Sequence, residues 1–148
     1  MNFKIFEKLF FKLISNKKNP YHPLVWIGGK PKIGKNVYIG GFSEVNAKGA
    51  KILIGDNCDI ASFVSINVAD SHKRCIEKKN KIDYQSIKIE NNVFIGSHSV
   101  ILGGVKIGHH SVIGAGTVVR KATIPPYSLV IGNPCKIKKN YYKKSSKK

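Results

Sequence analysis

The sequence predicts an all-β fold, a parallel β-helix wound as a triangular prism. Three observations carry that reading. Aliphatic residues recur every six positions, without a slip, in Ile89, Ile95, Ile101, Ile107, Ile113 and Val119. The same period runs upstream through Ile27, Ile33, Ile39 and Val45, and again through Ile54, Ile60 and Ile66. A small residue follows many of them, as in Ile33-Gly34, Ile39-Gly40, Ile54-Gly55, Ile60-Ala61, Ile95-Gly96, Ile107-Gly108 and Ile113-Gly114. Neither the helical period of about 3.6 residues nor simple strand alternation produces such a repeat. A fixed hexapeptide period marks a β-solenoid.

Each hexapeptide is one flat face, so three of them close a coil. The aliphatic residue points into the prism and stacks on its equivalent in the next coil, about 4.8 Å away. The small residue after it is expected to serve a crowded corner, with glycine supplying unusual dihedral angles. Each repeat buries its face only against its neighbours, so the ends of the stack need caps.

Residues 3–14 read as a short amphipathic helix. Phe3, Phe6, Leu9, Phe10, Leu13 and Ile14 fall on one side, and Lys4, Lys8 and Lys12 on the other. Two roles are open to it: a cap on the first coil or on a neighbouring subunit, or a helix lying in a membrane interface. Asn19-Pro20 and His22-Pro23 end it and begin a linker, so residues 1–26 form one segment. The solenoid occupies 27–138. Val45 and Ile54 are nine residues apart, which implies a short excursion at Ala47–Lys51. Ile66 and Ile89 are 23 apart, so a polar loop at about 69–86 leaves the prism. Loops on rigid scaffolds carry chemistry disproportionately, and this one holds His72. Ile124-Pro125-Pro126-Tyr127 is expected to break the strand pattern before the last apolar stretch, Ser128–Ile131. Residues 139–148 form a basic tail, expected to be partly disordered at its end.

The chain of 148 residues fits one domain and contains no apolar stretch long enough to span a bilayer. Its N-terminal apolar residues are interrupted by charges with no small-residue cleavage site, so an export leader is not expected. Three scattered cysteines, Cys58, Cys75 and Cys135, give no disulfide framework and fit a reducing cytoplasm. The formal charge of +18 is concentrated in Lys17-Lys18, Lys78-Lys79, Lys138-Lys139 and the tail. It has two main readings, a lysine-rich composition without function or attraction to an anionic ligand or membrane surface. Nucleic acid is the poorer partner, because the repeats offer neither a recognition helix nor aromatic platforms for bases.

The segment Ile54-Gly55-Asp56-Asn57, then His72, then Ile87–Ile101, Ile113–Val119, Ile124-Pro125-Pro126 and Gly132-Asn133-Pro134-Cys135-Lys136 resembles the hexapeptide-repeat O-acetyltransferases. The resemblance is to the branch holding maltose, galactoside and bacterial polysaccharide acetyltransferases, and covers roughly residues 52–138. It implies a homotrimer of left-handed β-helices, with acetyl-CoA in clefts between neighbouring subunits and no metal. It implies His72 as the general base and the Ser97 amide as the donor to the developing oxyanion. Asp70, two residues before His72, could fix the imidazole tautomer, as could a backbone carbonyl. The coenzyme would lie along Ser97, Gly103, Gly104, Ala115, Gly116, Thr117 and the segment Ile131, Gly132, Asn133, Pro134 to Lys136. Lys121 and Lys136, with Lys138 and Lys139, would meet its phosphates. A neutral imidazole suits this chemistry, because a sugar hydroxyl must lose its proton as it attacks a thioester.

Two departures bear on the acceptor. Lys73 follows His72 where maltose and galactoside enzymes carry proline, and the loop is strongly basic. The expected reaction is acetyl transfer to a saccharide hydroxyl in surface polysaccharide synthesis, in the cytoplasm or peripherally on the inner membrane face. The acceptor is open among free, nucleotide-linked and lipid-linked saccharides. Transfer to an amino sugar and a non-catalytic scaffold are the alternatives. A zinc site would need three converging histidines, and His109-His110 are expected to diverge. A Cys75–His72 nucleophile pair is the remaining rival.

Overall fold

The computed structural model describes residues 2–15, 20–78 and 80–143, with the backbone alone at 11 and 13–15. Lys17, Lys18, Lys79, the tail lysines from 144 onward and the side chains of Leu13 and Ile14 lie outside the described residues. Helix α1 spans Phe3–Ser15. Three parallel sheets then form the walls of a prism that the chain circles five times among the described residues.

The register confirms the six-residue phase. On the first face Ile27, Val45, Ile66, Ile101 and Val119 stack in one column. On the second face the column is Ile33, Ile54, Ile89, Ile107 and Ile124. The third carries Ile39, Ile60, Ile95, Ile113 and Val130. All of these are buried except Ile27 and Ile33 of the terminal coil, which keep partial exposure. Removing one such side chain from water is worth about 1.5–3 kcal/mol, so the columns dominate the stability of the stack.

Glycine serves the corners differently from the expectation. A Cβ at Gly96 would lie 2.6 Å from the Ala115 nitrogen of the next coil, so the residue after the aliphatic must be small because coils approach there. The left-handed backbone falls instead three residues after the aliphatic, at Asn36, Phe42, Asn57, Phe63, Asn92, His98, His110, Gly116 and Tyr127, with φ between 52° and 68°. Asparagine tolerates that region, whereas phenylalanine adopts it at a cost.

One further expectation is corrected, and another gains detail. Ile124-Pro125-Pro126 does not break the solenoid, because Thr123–Ile124 is a strand paired with Lys106-Ile107 and the prolines occupy the corner that follows. The phase merely shortens by one residue, from Val119 to Ile124. The loop expected at about 69–86 does leave the prism, and its described residues form a hairpin. Ala69–Asp70 and Asp83–Tyr84 pair antiparallel, and a one-turn helix, α2 (His72–Ile76), lies between them. Gln85 N–H donates to Val68 O across its neck at 3.0 Å. The smaller excursion lies beneath: at Gly49, with φ of 95°, a Cβ would strike the ring of Tyr84.

After the fifth coil the chain turns through Gly132–Pro134, and Lys136–Lys138 pairs antiparallel with Leu129–Ile131. Tyr142 N–H then donates to Tyr127 O. Among the described residues no helix is long and apolar enough to cross a membrane.

Candidate active site

The hairpin leaves the prism at the corner between the first and second faces. There Asp70 Oδ1 receives the His72 backbone N–H at 3.1 Å and lies 2.6 Å from His72 Nδ1. The backbone bond caps the start of α2, and the side-chain contact turns the imidazole so that Nδ1 faces the carboxylate. With Nδ1 protonated, Nε2 is left with its lone pair. These two hydrogen bonds, the side-chain one foremost, hold the Asp70 carboxyl below the usual carboxylate range. Both side chains remain half-exposed, at 50% and 63%, so the imidazole is open to an incoming group. Lys73 Nζ pairs with Asp83 Oδ2 at 2.7 Å and ties α2 to the return strand.

Below the hairpin opens a groove of about 800 Å³, lined by Asp70, His72, Asp83, Gln85, Leu102, Gly103, Arg120 and Lys121 among others. Gly103 and Gly104 lie under the hairpin neck. A Cβ at Gly103 would stand 3.0 Å from the carbonyl oxygens of Val68 and Gln85, so their smallness admits the neck itself.

Ser97 lies elsewhere, at the corner between the third and first faces. His72 and Ser97 thus flank the first face from opposite edges and do not meet within one chain. Ser97, Ala115, Gly116 and Thr117 share this corner. Thr117 Oγ1 accepts from Gly132 N–H at 3.1 Å, which draws the Ile131, Gly132, Asn133 and Pro134 turn, with Lys136 beyond it, to the same corner. Gly116 leaves open space, since a Cβ there would meet nothing within 4 Å. The predicted site residues therefore form two groups on two corners.

The Ser97 N–H donates to no acceptor among the described residues. Its equivalents at the second–third corner are capped: Lys35 N–H by Asp56 Oδ1 at 2.7 Å, and Asp56 N–H by Asn91 Oδ1 at 2.9 Å. Each cap comes from the residue one coil above. Above Ser97 that residue is Ala115, which has no acceptor to offer, and the amide stays available for a developing negative charge. Next to it His98 stacks on Phe63 (4.8 Å), and Phe63 on Phe42 (5.0 Å), a ladder of exposed rings that the repeat pattern did not reveal.

Sequence reasoning also missed Gln85, Arg120 and the Lys73–Asp83 pair, whose partners meet only through the hairpin. His109 and His110 do not diverge. They sit at a corner, not along a strand, and their Nδ1 atoms are 2.9 Å apart. No three His, Cys, Asp or Glu residues converge as a metal site among the described residues. No hydrogen bond joins Cys75 to His72 among them.

Comparison with known proteins agrees with this fold. A model described as bacterial transferase hexapeptide (six repeats) matches residues 86–121, and one described as hexapeptide repeat of succinyl-transferase matches 32–67. A galactoside acetyltransferase, solved in complex with coenzyme A, is 30% identical with a TM-score of 0.60, the match covering 94% of this chain and 83% of that one. The chain belongs to the hexapeptide-repeat acetyltransferase family. Its prism is that family's left-handed parallel β-helix. A hexapeptide-repeat acetyltransferase from Vibrio cholerae is 31% identical over 80% of this chain and 68% of its own, with a TM-score of 0.69. Galactoside O-acetyltransferase of Escherichia coli (strain K12) is 40% identical over 128 residues, 81% of this chain. The chain spans 62% of the length of that curated relative.

Proposed function

We propose that this chain is an acetyl-CoA-dependent O-acetyltransferase acting on a saccharide hydroxyl. The observation that carries the reading is the Asp70–His72 pair, at 2.6 Å, on an open hairpin above a groove. Membership of the family and the likeness to a coenzyme A-bound galactoside acetyltransferase support the donor and the acceptor class.

Acetyl-CoA supplies the activated acyl group. His72 Nε2 takes the acceptor's hydroxyl proton as that oxygen bonds to the acyl carbon. Asp70 holds the other ring nitrogen and offsets the charge on the imidazolium. The Ser97 N–H receives the negative charge that develops on the acyl oxygen. As the carbon–sulfur bond breaks, the imidazolium returns its proton to the leaving thiolate. The open rung at Gly116 suits the pantetheine arm, and Lys121, Lys136, Lys138 and Lys139 suit the coenzyme phosphates as point charges.

Because His72 and Ser97 flank opposite edges of the first face, a complete site needs His72 of one subunit beside Ser97 of the next. A closed threefold assembly satisfies this three times over. The exposed Arg74, Lys78 and Lys81 of the hairpin favour an anionic acceptor, such as a saccharide on a diphosphate carrier destined for surface polysaccharide.

Thiol release from acetyl-CoA should be followed across free sugars, nucleotide sugars and lipid-diphosphate-linked saccharides, with amino sugars as a further arm. Turnover with a hydroxyl acceptor is expected, and His72→Ala should reduce it by roughly 10²–10⁴-fold with coenzyme binding intact. Turnover confined to amines would replace the O-transfer reading, and loss of coenzyme binding in the unaltered chain would overturn the enzyme.

A further inference from the structure

The N-terminal end of the molecule differs chemically from everything above it. Residues 1–43 contain eight lysines and a single acidic residue, Glu7. On α1, Phe3, Phe6, Leu9 and Phe10 are 76%, 47%, 52% and 42% exposed, with Phe6 and Phe10 stacked at 6.0 Å. Lys4, Lys8 and Lys12 occupy the opposite side. An exposed apolar stripe of this size marks an interaction or membrane-binding surface.

A second observation comes from the first coil. Trp26, Tyr38 and Phe42 stand on its rim 51%, 58% and 61% exposed, interspersed with the exposed Lys30, Lys32 and Lys35. The register shows how abruptly this changes: Trp26 stacks below Glu44, and Tyr38 below Asp59. Two of these three outward positions carry carboxylates in the second coil, while Phe42 lies below Phe63. Tryptophan and tyrosine beside lysine suit a boundary where one side is apolar and the other wet and negatively charged. Carboxylates would be repelled from such a boundary, and they begin one coil away from it.

We propose that this end, α1 together with the rim of the first coil, docks on an anionic lipid bilayer. The helix lies in the interfacial plane with Phe3, Phe6, Leu9 and Phe10 among the acyl chains, while the lysines meet the headgroups. A single short helix binds weakly and reversibly. In the threefold assembly proposed above, three copies of this end face the same side, and their attachment reinforces itself through effective concentration. The solenoid then stands on its first coil with its hairpins held above the membrane. Apart from that reinforcement, the docking does not depend on the transferase reading.

The test uses the full chain with vesicles of phosphatidylglycerol mixed with phosphatidylcholine, against pure phosphatidylcholine, at low and high salt. The expected result is co-sedimentation with the anionic vesicles, weakened by salt, and a blue shift in emission from Trp26, the only tryptophan. Phe6→Glu/Phe10→Glu, whose exposed sites should leave folding intact, is expected to reduce the bound fraction roughly tenfold or more. Equal sedimentation with both lipids, or none with either, would overturn the proposal. So would undiminished binding by the double variant, which would assign attachment to lysines elsewhere. A fall in molecular mass of that variant by light scattering would show instead that the stripe packs on another copy of the chain.

Discussion

Asp70 and Asp83 stand directly opposite each other across the hairpin, and each is held by a residue of the helix between them. His72 Nδ1 lies 2.6 Å from Asp70, and Lys73 Nζ 2.7 Å from Asp83. Two carboxylates facing across an antiparallel pair repel one another. Adjacent residues of one helical turn relieve that repulsion and at the same time aim the imidazole.

The hairpin's order should therefore depend on pH. Hydrogen bonding by His72 lowers the Asp70 carboxyl, and hydrogen bonding by Lys73 lowers that of Asp83. A group lowered on folding contributes above its ordinary range, about pH 4, and loses that contribution as pH falls through its folded value. Backbone amide shifts of 69–84, followed by NMR, should move below about pH 4 while those of the solenoid columns hold. Hairpin and solenoid signals moving together would count against a local effect.

Asp70→Asn should separate positioning from proton transfer. The amide can present a donor to Nδ1 and so favour the wrong tautomer. A fall in kcat on the order of tenfold is expected, less than for loss of the base itself, with coenzyme affinity unchanged. A variant as active as the parent would leave the carboxylate with no role beyond capping α2.

Ala115→Asn should cap the Ser97 amide as Asn91 caps that of Asp56. Gly96 leaves the room for it, as Gly55 does for Asn91. Transfer should fall by roughly 10²–10³-fold, with thermal stability nearly unchanged. Ser97→Ala keeps the amide and should retain most activity. If Ser97→Ala were the more damaging, the hydroxyl would be the functional group.

Ile101 is fully buried between Ile66 and Val119. Ile101→Ala should cost about 2–5 kcal/mol in urea unfolding, as a cavity in a close-packed column. Gly96→Ala should also destabilise, because the atoms a Cβ would meet are the Ala115 nitrogen at 2.6 Å and its Cα at 2.9 Å, which cannot swing aside. A tolerant Gly96→Ala would mean that coils separate more easily than this packing implies.

The prism was legible because one physical rule, an inward aliphatic per face, repeats through Ile33, Ile39, Ile54, Ile60 and their equivalents. The hairpin's limits followed from the phase lost between Ile66 and Ile89. Its interior did not, since the Asp70–Asp83 pairing and the Lys73 contact join residues that no period relates. His72 and Asp70 could be named from spacing and resemblance. That Ser97 lies across the first face from them required the coil geometry, and that its amide is unclaimed required comparing it with Lys35 and Asp56. The aromatic ladder of Phe42, Phe63 and His98 was hidden because left-handed corners usually go to residues such as Asn36 and Asn57.

The neck at Val68 and Gln85 gives the hairpin the character of an exchangeable cassette. Its two ends are already bridged, and the strands on either side, Ser65–Asn67 and Ile87–Ile89, take their register from the coils above and below. A longer or differently charged insertion would cost only about 0.6 kcal/mol per doubling of its length in closure entropy. On the proposed function, acceptor preference would drift by rewriting roughly one corner of one coil, with the remainder of the prism inherited unchanged.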